Sequence, residues 1–452
     1  MKILLMLALA LSLPVLGMAQ GTQRKILPYD YTIDDLPNGL RLVTVPTDYP
    51  NLVALYIVVS TGSRNEIEAG KSGYAHLFEH LMFRGSKNFS AEQRDEILKR
   101  AGASSNAYTS DDRTVYHEVF SKDDLDKVLE LEGDRFQRLS YPEDKYKTET
   151  RAVLGEYNKN SANPTSKLFE KLRETAFHKH TYQHTTMGFI KDVEDMPNQY
   201  QYSLEFYKRY YRPEYATVVV VGDVTRARVL DLVKKNFGSW ERGNYVPDIP
   251  AEPAQEAART AHVDWATPTL PYVAVAFRAP AFSDTQKDKA ALDLLTPIAF
   301  GENSELYQRL VLKEQKIDRL FGGADDQKDP ELFTVIARVK DPKDMDYVRG
   351  EILKTFERYT KEVVSQDKLD ATRSRVRYGF AVGLNSSEAI AGALASYISL
   401  TRTPETLNKV FAIYQSLTPE DIRTAARKYF TENSRTIVTL TSTASGNKEA
   451  GK

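Results

Sequence analysis

The 452-residue sequence contains no cysteine. Disulfides, thiolate metal ligands and a lipid on a processed cysteine are therefore excluded. Histidine is scarce, with seven residues, so a metal would have few nitrogen donors and would need oxygen as well. An excess of one charge is also lacking. With 61 basic and 62 acidic side chains the formal net charge is −1, which gives no electrostatic case for nucleic acid or an anionic membrane as partner. Beyond residue 19 no apolar run is long enough to span a bilayer.

Residues 1–19 read as a secretory signal, with Lys2 as the positive start, Ile3 to Leu16 as the apolar centre and Gly17-Met18-Ala19 as a small-residue cleavage site. The signal style is bacterial, and a periplasmic address fits best. Without disulfides, an exported chain of this size must draw its stability from large apolar cores, and 41% hydrophobic residues are enough for them.

The most informative stretch is Gly73-Tyr74-Ala75-His76-Leu77-Phe78-Glu79-His80-Leu81-Met82-Phe83. Leu77 with Leu81 and Phe78 with Met82 are i,i+4 pairs, which predicts a mostly buried helix that also carries His76, Glu79 and His80. Two histidines four apart project from one side of a helix and can reach one cation. The order His-x-x-Glu-His casts the glutamate as a base for water at the metal and not as a ligand. A third ligand is needed. A second helical run, Glu149 to Tyr157, offers Glu149 and Glu156, two turns apart on one face. Either can come over the histidine pair, with the other orienting a ligand.

These residues resemble the pitrilysin and insulinase-like zinc peptidases (inverzincins, family M16), which include the mitochondrial processing peptidase. His76-Leu77-Phe78-Glu79-His80 matches the family motif, and Glu156 follows His80 by 76 positions, the spacing of the family's third ligand. Leu36-Pro37-Asn38-Gly39-Leu40-Arg41, Gly62-Ser63-Arg64-Asn65-Glu66, and Asn106-Ala107-Tyr108-Thr109 with Asp112, Thr114 and Tyr116 match in order, as do His180-Thr181-Tyr182 and Gly188. The resemblance implies one Zn2+ per chain on His76, His80 and Glu156, with Glu79 catalytic and Glu149 a supporting carboxylate behind the ligands. It also implies that Asn106, Ala107 and Tyr108 lie on an edge strand that takes up an extended peptide.

The expected fold is α+β: two related domains, each an antiparallel-rich sheet with helices packed on one face, forming half of a clam-shell. The zinc-bearing domain is placed at 26–240, a proline-rich linker at 241–258, a metal-free homologous domain at 259–442 and a flexible tail at 443–452. The second half reads as a worn copy of the first. Ser121–Val128 and Asp341–Val348 agree at a spacing of 220. No histidine follows His262, and at a local spacing of 223 Glu149 and Glu156 correspond to Thr372 and Gly379.

The implied activity is that of a zinc-dependent metalloendopeptidase acting on unfolded peptides or small proteins, with Glu79 activating a zinc-bound water. The family's second half usually carries an Arg and a Tyr seven apart, but here Val311 and Asp318 stand at those positions, with Arg309 and Phe321 nearby. This implies a hetero- or homodimer in which a homologous chain supplies the pair, or a homodimer in which Arg309 substitutes. The alternative is a non-proteolytic structural or assembly subunit that has kept the fold. His178, His180 and His184 alternate in one stretch. They are read as surface histidines of a loop in preference to an auxiliary metal site, and His117 and His262 as structural.

Overall fold

The computed structural model describes residues 25–443. The expected signal at 1–19, and the expected tail from residue 444 onward, lie outside these residues. The first sheet is built from β1 (Thr32–Asp35), β2 (Arg41–Pro46), β3 (Leu52–Val59), β4 (Ser104–Thr109), β5 (Thr114–Ser121) and β6 (Ala216–Gly222), in the order β1-β2-β6-β3-β5-β4. The second consists of β7 (Arg259–Trp265), β8 (Tyr272–Arg278), β9 (Ile317–Gly323), β10 (Leu332–Val339) and β11 (Arg435–Ser442), in the order β7-β11-β8-β10-β9.

Neighbouring strands are antiparallel except for two parallel pairs, β2 with β6 and β7 with β11. With β1 set aside, order and direction are the same in both sheets. Helix Leu125–Arg138 recurs as Met345–Lys361, and Glu143–Ser161 as Gln366–Gly383. The repeat in the sequence is thus a repeat of topology, and the fold consists of two sheet-plus-helix domains.

Five helices of the first domain matter below: α1 (Tyr74–Leu81), α2 (Ala91–Arg100), α3 (Leu125–Arg138), α4 (Glu143–Ser161) and α5 (Pro164–Ala176). The start of α2 is set by its capping box, Ser90 with Gln93. Both faces of each sheet are buried, which is why β3, β6 and β8 read as continuous apolar runs and not as alternating ones. Along β3, Val53, Leu55, Ile57 and Val59 join one core with α1, whereas Ala54, Tyr56 and Val58 join another containing Ile390 and Leu394.

The second face is covered by the helix Ser387–Thr401, which comes from the second half and packs on β3 and β6. The exchange is reciprocal. Helix α5 of the first half lays Leu168 and Leu172 on Tyr272, Ala274 and Ala276 of β8 and on Val438 and Leu440 of β11. These two helices occupy equivalent places in the repeat. Each domain therefore keeps its own helices on one face and receives its counterpart's helix on the other.

Because neither sheet is closed without the other half, the chain should unfold in one cooperative transition. Leu394→Ala, at a fully buried position, should cost about 2–5 kcal/mol. In denaturant melts followed by Trp240 in the first half and Trp265 in the second, both probes should shift together, and separate shifts would contradict the reciprocal packing.

Candidate metal centre

Helix α1 is anchored on three sides. Tyr74, Leu77, Phe78 and Leu81 are buried, and Phe78 lies against Phe206 and Tyr211 at ring separations of 5.2 and 5.1 Å. At its N-terminus the buried Glu66 carboxylate accepts the N–H of Gly73 at 2.6 Å and of Ala75 at 2.7 Å, satisfying donors that the helix itself leaves unpaired. Gly73 takes φ +89° as it turns into the helix, with Met187 and Met196 close by. The remaining side of α1 carries His76 and His80, whose rings stand 4.9 Å apart and perpendicular.

From α4, Glu156 Oε2 comes within 3.6 Å of His76 Nε2 and 3.5 Å of His80 Nε2. Ligands about 2.0–2.1 Å from a tetrahedral zinc stand about 3.3–3.4 Å from one another. The two nitrogens and one oxygen, all within 4.8 Å of each other, thus fit that ion in number, chemistry and spacing. Burial, then the charge of His80, pushes His76 down to about 4 from 6.5, so it is neutral and able to coordinate at physiological pH. The Glu156 side chain is 41% exposed, which leaves the centre open on that side.

Glu149, one turn pair earlier on α4 and buried, sits behind the histidines. Its Oε1 takes Arg84 Nε at 2.8 Å, and its Oε2 lies 3.8 Å from His80 Nδ1 with no hydrogen-bond partner. Glu79 stays outside the donor set. Its Oε2 accepts the Thr109 hydroxyl at 2.6 Å. Burial pushes the Glu79 carboxyl up, while the Thr109 hydroxyl bond and the charge of His80 pull it back.

Asn106, Ala107 and Tyr108 lie on β4, an edge strand. The turn after it closes through Ser110 N–H to Arg113 O at 2.8 Å. By antiparallel alternation Tyr108 and Asn106 then bond to β5, while Ser105 and Ala107 direct their backbone groups outward. The Ala107 N–H is met only by the adjacent Asn106 Oδ1, at 2.9 Å.

Three sequence readings need comment. The histidines of 178–184 do not converge: His180 Nε2 meets Asp329 at 2.9 Å, His184 Nδ1 faces Thr185 O at 2.9 Å, and His178 is exposed. Nor are they all on the surface, because His180 and His184 are buried, His180 at a junction of the two halves that alternation could not reveal. Arg309 is already paired with Glu351 and lines a separate cavity of about 190 Å³ with Glu305 and Arg358. Asp318 is held by Arg338 at 2.8 and 2.6 Å. Sequence reasoning gave no role to Thr109, Arg84 or Glu66. Thr109 and Glu66 stand in motifs quoted above, but their contacts depend on tertiary placement.

A duplicated sheet-and-helix fold with an inverted His-x-x-Glu-His helix in its first half alone defines a half-length chain of the inverted-motif zinc peptidase class. The insulinase (peptidase family M16) profile matches residues 41–189, and the peptidase M16 inactive domain matches 199–376. Zinc protease PqqE of Helicobacter pylori is 33% identical over 412 residues, 90% of this chain and 91% of its own. The crystal structure of a protease from Helicobacter pylori superposes with a TM-score of 0.85 at 32% identity, covering 91% of this chain and all of that one. The periplasmic protease PqqL from Escherichia coli shares the fold at 20% identity and a TM-score of 0.73, with 92% of this chain matching 48% of that one. The chain belongs to the insulinase family, M16.

Two outcomes test the geometry. Since the folded pKa of His76 lies below its unfolded value, the unfolded chain binds the extra proton. The metal-free protein should therefore lose stability as pH falls from 6.5 towards 4, by up to roughly 3 kcal/mol. Denaturant melts at pH 7 and 4.5 should show a smaller loss in His76→Gln, and equal losses would contradict the assignment. Second, Glu149→Gln should weaken zinc affinity by about 10–100-fold and Glu156→Gln by more, read by competition with a chelating dye.

Proposed function

We propose that the chain is a zinc-dependent endopeptidase for unfolded peptides, with one ion held by His76, His80 and Glu156. The observation that carries this reading is the convergence of those three donors beside a glutamate that is held out of the donor set. Bound there, zinc would supply a Lewis acid that acidifies a water molecule and polarises the scissile carbonyl. Glu79 takes the proton from that water and returns it to the leaving amine nitrogen. The Thr109 hydroxyl fixes the Glu79 carboxylate, so the base is oriented before substrate arrives.

An extended peptide pairs with β4 through the outward groups at Ser105 and Ala107, beside Asn106, Ala107 and Tyr108. Main-chain pairing of this kind accepts many side chains and favours loose sequence preference. Glu149 keeps His80 aligned through its Nδ1 side. The positions at which the family carries its Arg and Tyr hold Val311 and the ion-paired Asp318, and Arg309 is engaged elsewhere. We therefore place the missing cation and phenol on a homologous partner chain. Among the described residues no helix is long and apolar enough to cross a membrane, and with the signal read at 1–19 the protein acts after export, in the periplasm.

The test is cleavage of an unstructured peptide mixture by the zinc-loaded mature chain, alone and with a homologous chain that carries the Arg and Tyr. Glu79→Gln should retain zinc and lose at least about 100-fold in turnover. Equal turnover in the variant would remove Glu79 as the base, and zinc binding without turnover in either setting would favour a structural subunit.

A further inference from the structure

The turn after β4 and the connection after β9 are counterparts in the repeat, and they meet. The first, Ser110 to Arg113, has four residues; the second, Ala324 to Glu331, has eight. The longer one reaches across to the shorter. Gln327 Nε2 donates to Asp111 Oδ2 at 2.9 Å, and the Lys328 backbone N–H donates to Asp112 Oδ2 at 2.6 Å. From the first half, Ser63 Oγ and Arg173 hold Asp111 at 2.7 and 2.9 Å, and Tyr182 OH holds Asp112 at 2.8 Å. Asp329 then takes Arg64 and His180, and Glu331 lies 3.2 Å from Arg173.

Asp111, Asp112, Gln327 and Glu331 are all buried. Buried carboxylates with this many donors hold a backbone in one place, because any shift leaves charge unpaired away from water. The turn they hold begins one residue after Thr109, whose hydroxyl holds Glu79.

We propose that residues 325–331 of the metal-free half are a positioning device for the base: by gripping Asp111 and Asp112 they fix Thr109 and, through it, Glu79. The metal-free domain thus takes part in catalysis without touching substrate or metal. The inference rests on the reading of Glu79 as the base, and it identifies Gln327 and Asp329 as positioning residues.

The test uses the full mature chain with Gln327→Leu, Asp329→Asn and both together, the single variants serving if the double one fails to fold. In the metal-free protein, hydrogen exchange at the Ser110 amide, which closes the turn on Arg113 O, should be about tenfold or more faster in the variants. With zinc bound, kcat for peptide cleavage should fall about tenfold or more, with KM and zinc content unchanged. In a Thr109→Val background the same substitutions should cost nothing further, since the route to Glu79 is already cut. Unchanged exchange at Ser110, or an equal loss of kcat in both backgrounds, overturns the proposal. If the wild type cleaves no peptide at all, the proposed activity fails while the exchange measurement still decides whether the two connections are coupled.

Discussion

The structure depends on one constraint: neither sheet can bury both faces with the helices of its own half. A β-sheet with apolar residues on both sides must be covered twice, and here the second cover is α5 on one sheet and Ser387–Thr401 on the other. Because these helices are exchanged, the halves are locked in register. Loops from one half then stand at fixed distances from strands of the other, so the first half's site can lean on the second half's residues. The buried junction of Asp111, Arg173, Gln327 and Glu331 is one product of that lock.

Within the first half, the same logic is repeated on a smaller scale around α1. An eight-residue helix has little stability of its own, so its orientation is imposed by Phe78 among aromatic rings, by Glu66 at its N-terminus and by α4 across the histidine face. The division of labour between three carboxylates follows from placement. Glu156 is half-exposed and faces both Nε2 atoms, Glu149 is buried behind His80, and Glu79 is turned towards Thr109. Identical side chains thus stand in different electrostatic surroundings because burial and partners differ.

Much of this was legible beforehand because the signals are local. The spacing of His76, Glu79 and His80 is a property of one helix, the capping box of Ser90 and Gln93 belongs to one turn, and the repeat at 220 is visible as matching letters. The helix exchange was not legible: α5 is amphipathic and Ser387–Thr401 carries only Glu388 as a charge, and such patterns say that a helix is buried without saying on which sheet. The same limit explains His180, which Asp329 of the second half covers, and His184, which Glu66 and Phe189 enclose from within the first half. The edge strand expected at Asn106 to Tyr108 also reaches Thr109, whose hydroxyl holds Glu79.

The duplication also makes the loss of the site from the second half intelligible. Thr109 lies opposite Thr114, and its counterpart opposite Thr334 is Gly323, which has no side chain to hold a base. The counterparts of Glu149 and Glu156, Thr372 and Gly379, offer no carboxylate. Where the first half has histidines on the helix after its third strand, the corresponding helix Lys287–Ala299 carries Lys289, paired with Asp293 at 2.6 Å and Asp326 at 2.7 Å, and Tyr414 closes on Asp293 at 3.1 Å. An internal ammonium thus neutralises carboxylates in that core. Once the exchanged helices carry the stability of both halves, the second half can lose its site without loosening the fold. Its β9–β10 connection, relieved of any site geometry of its own, is free to lengthen and to brace the equivalent turn in the half that carries the candidate metal centre.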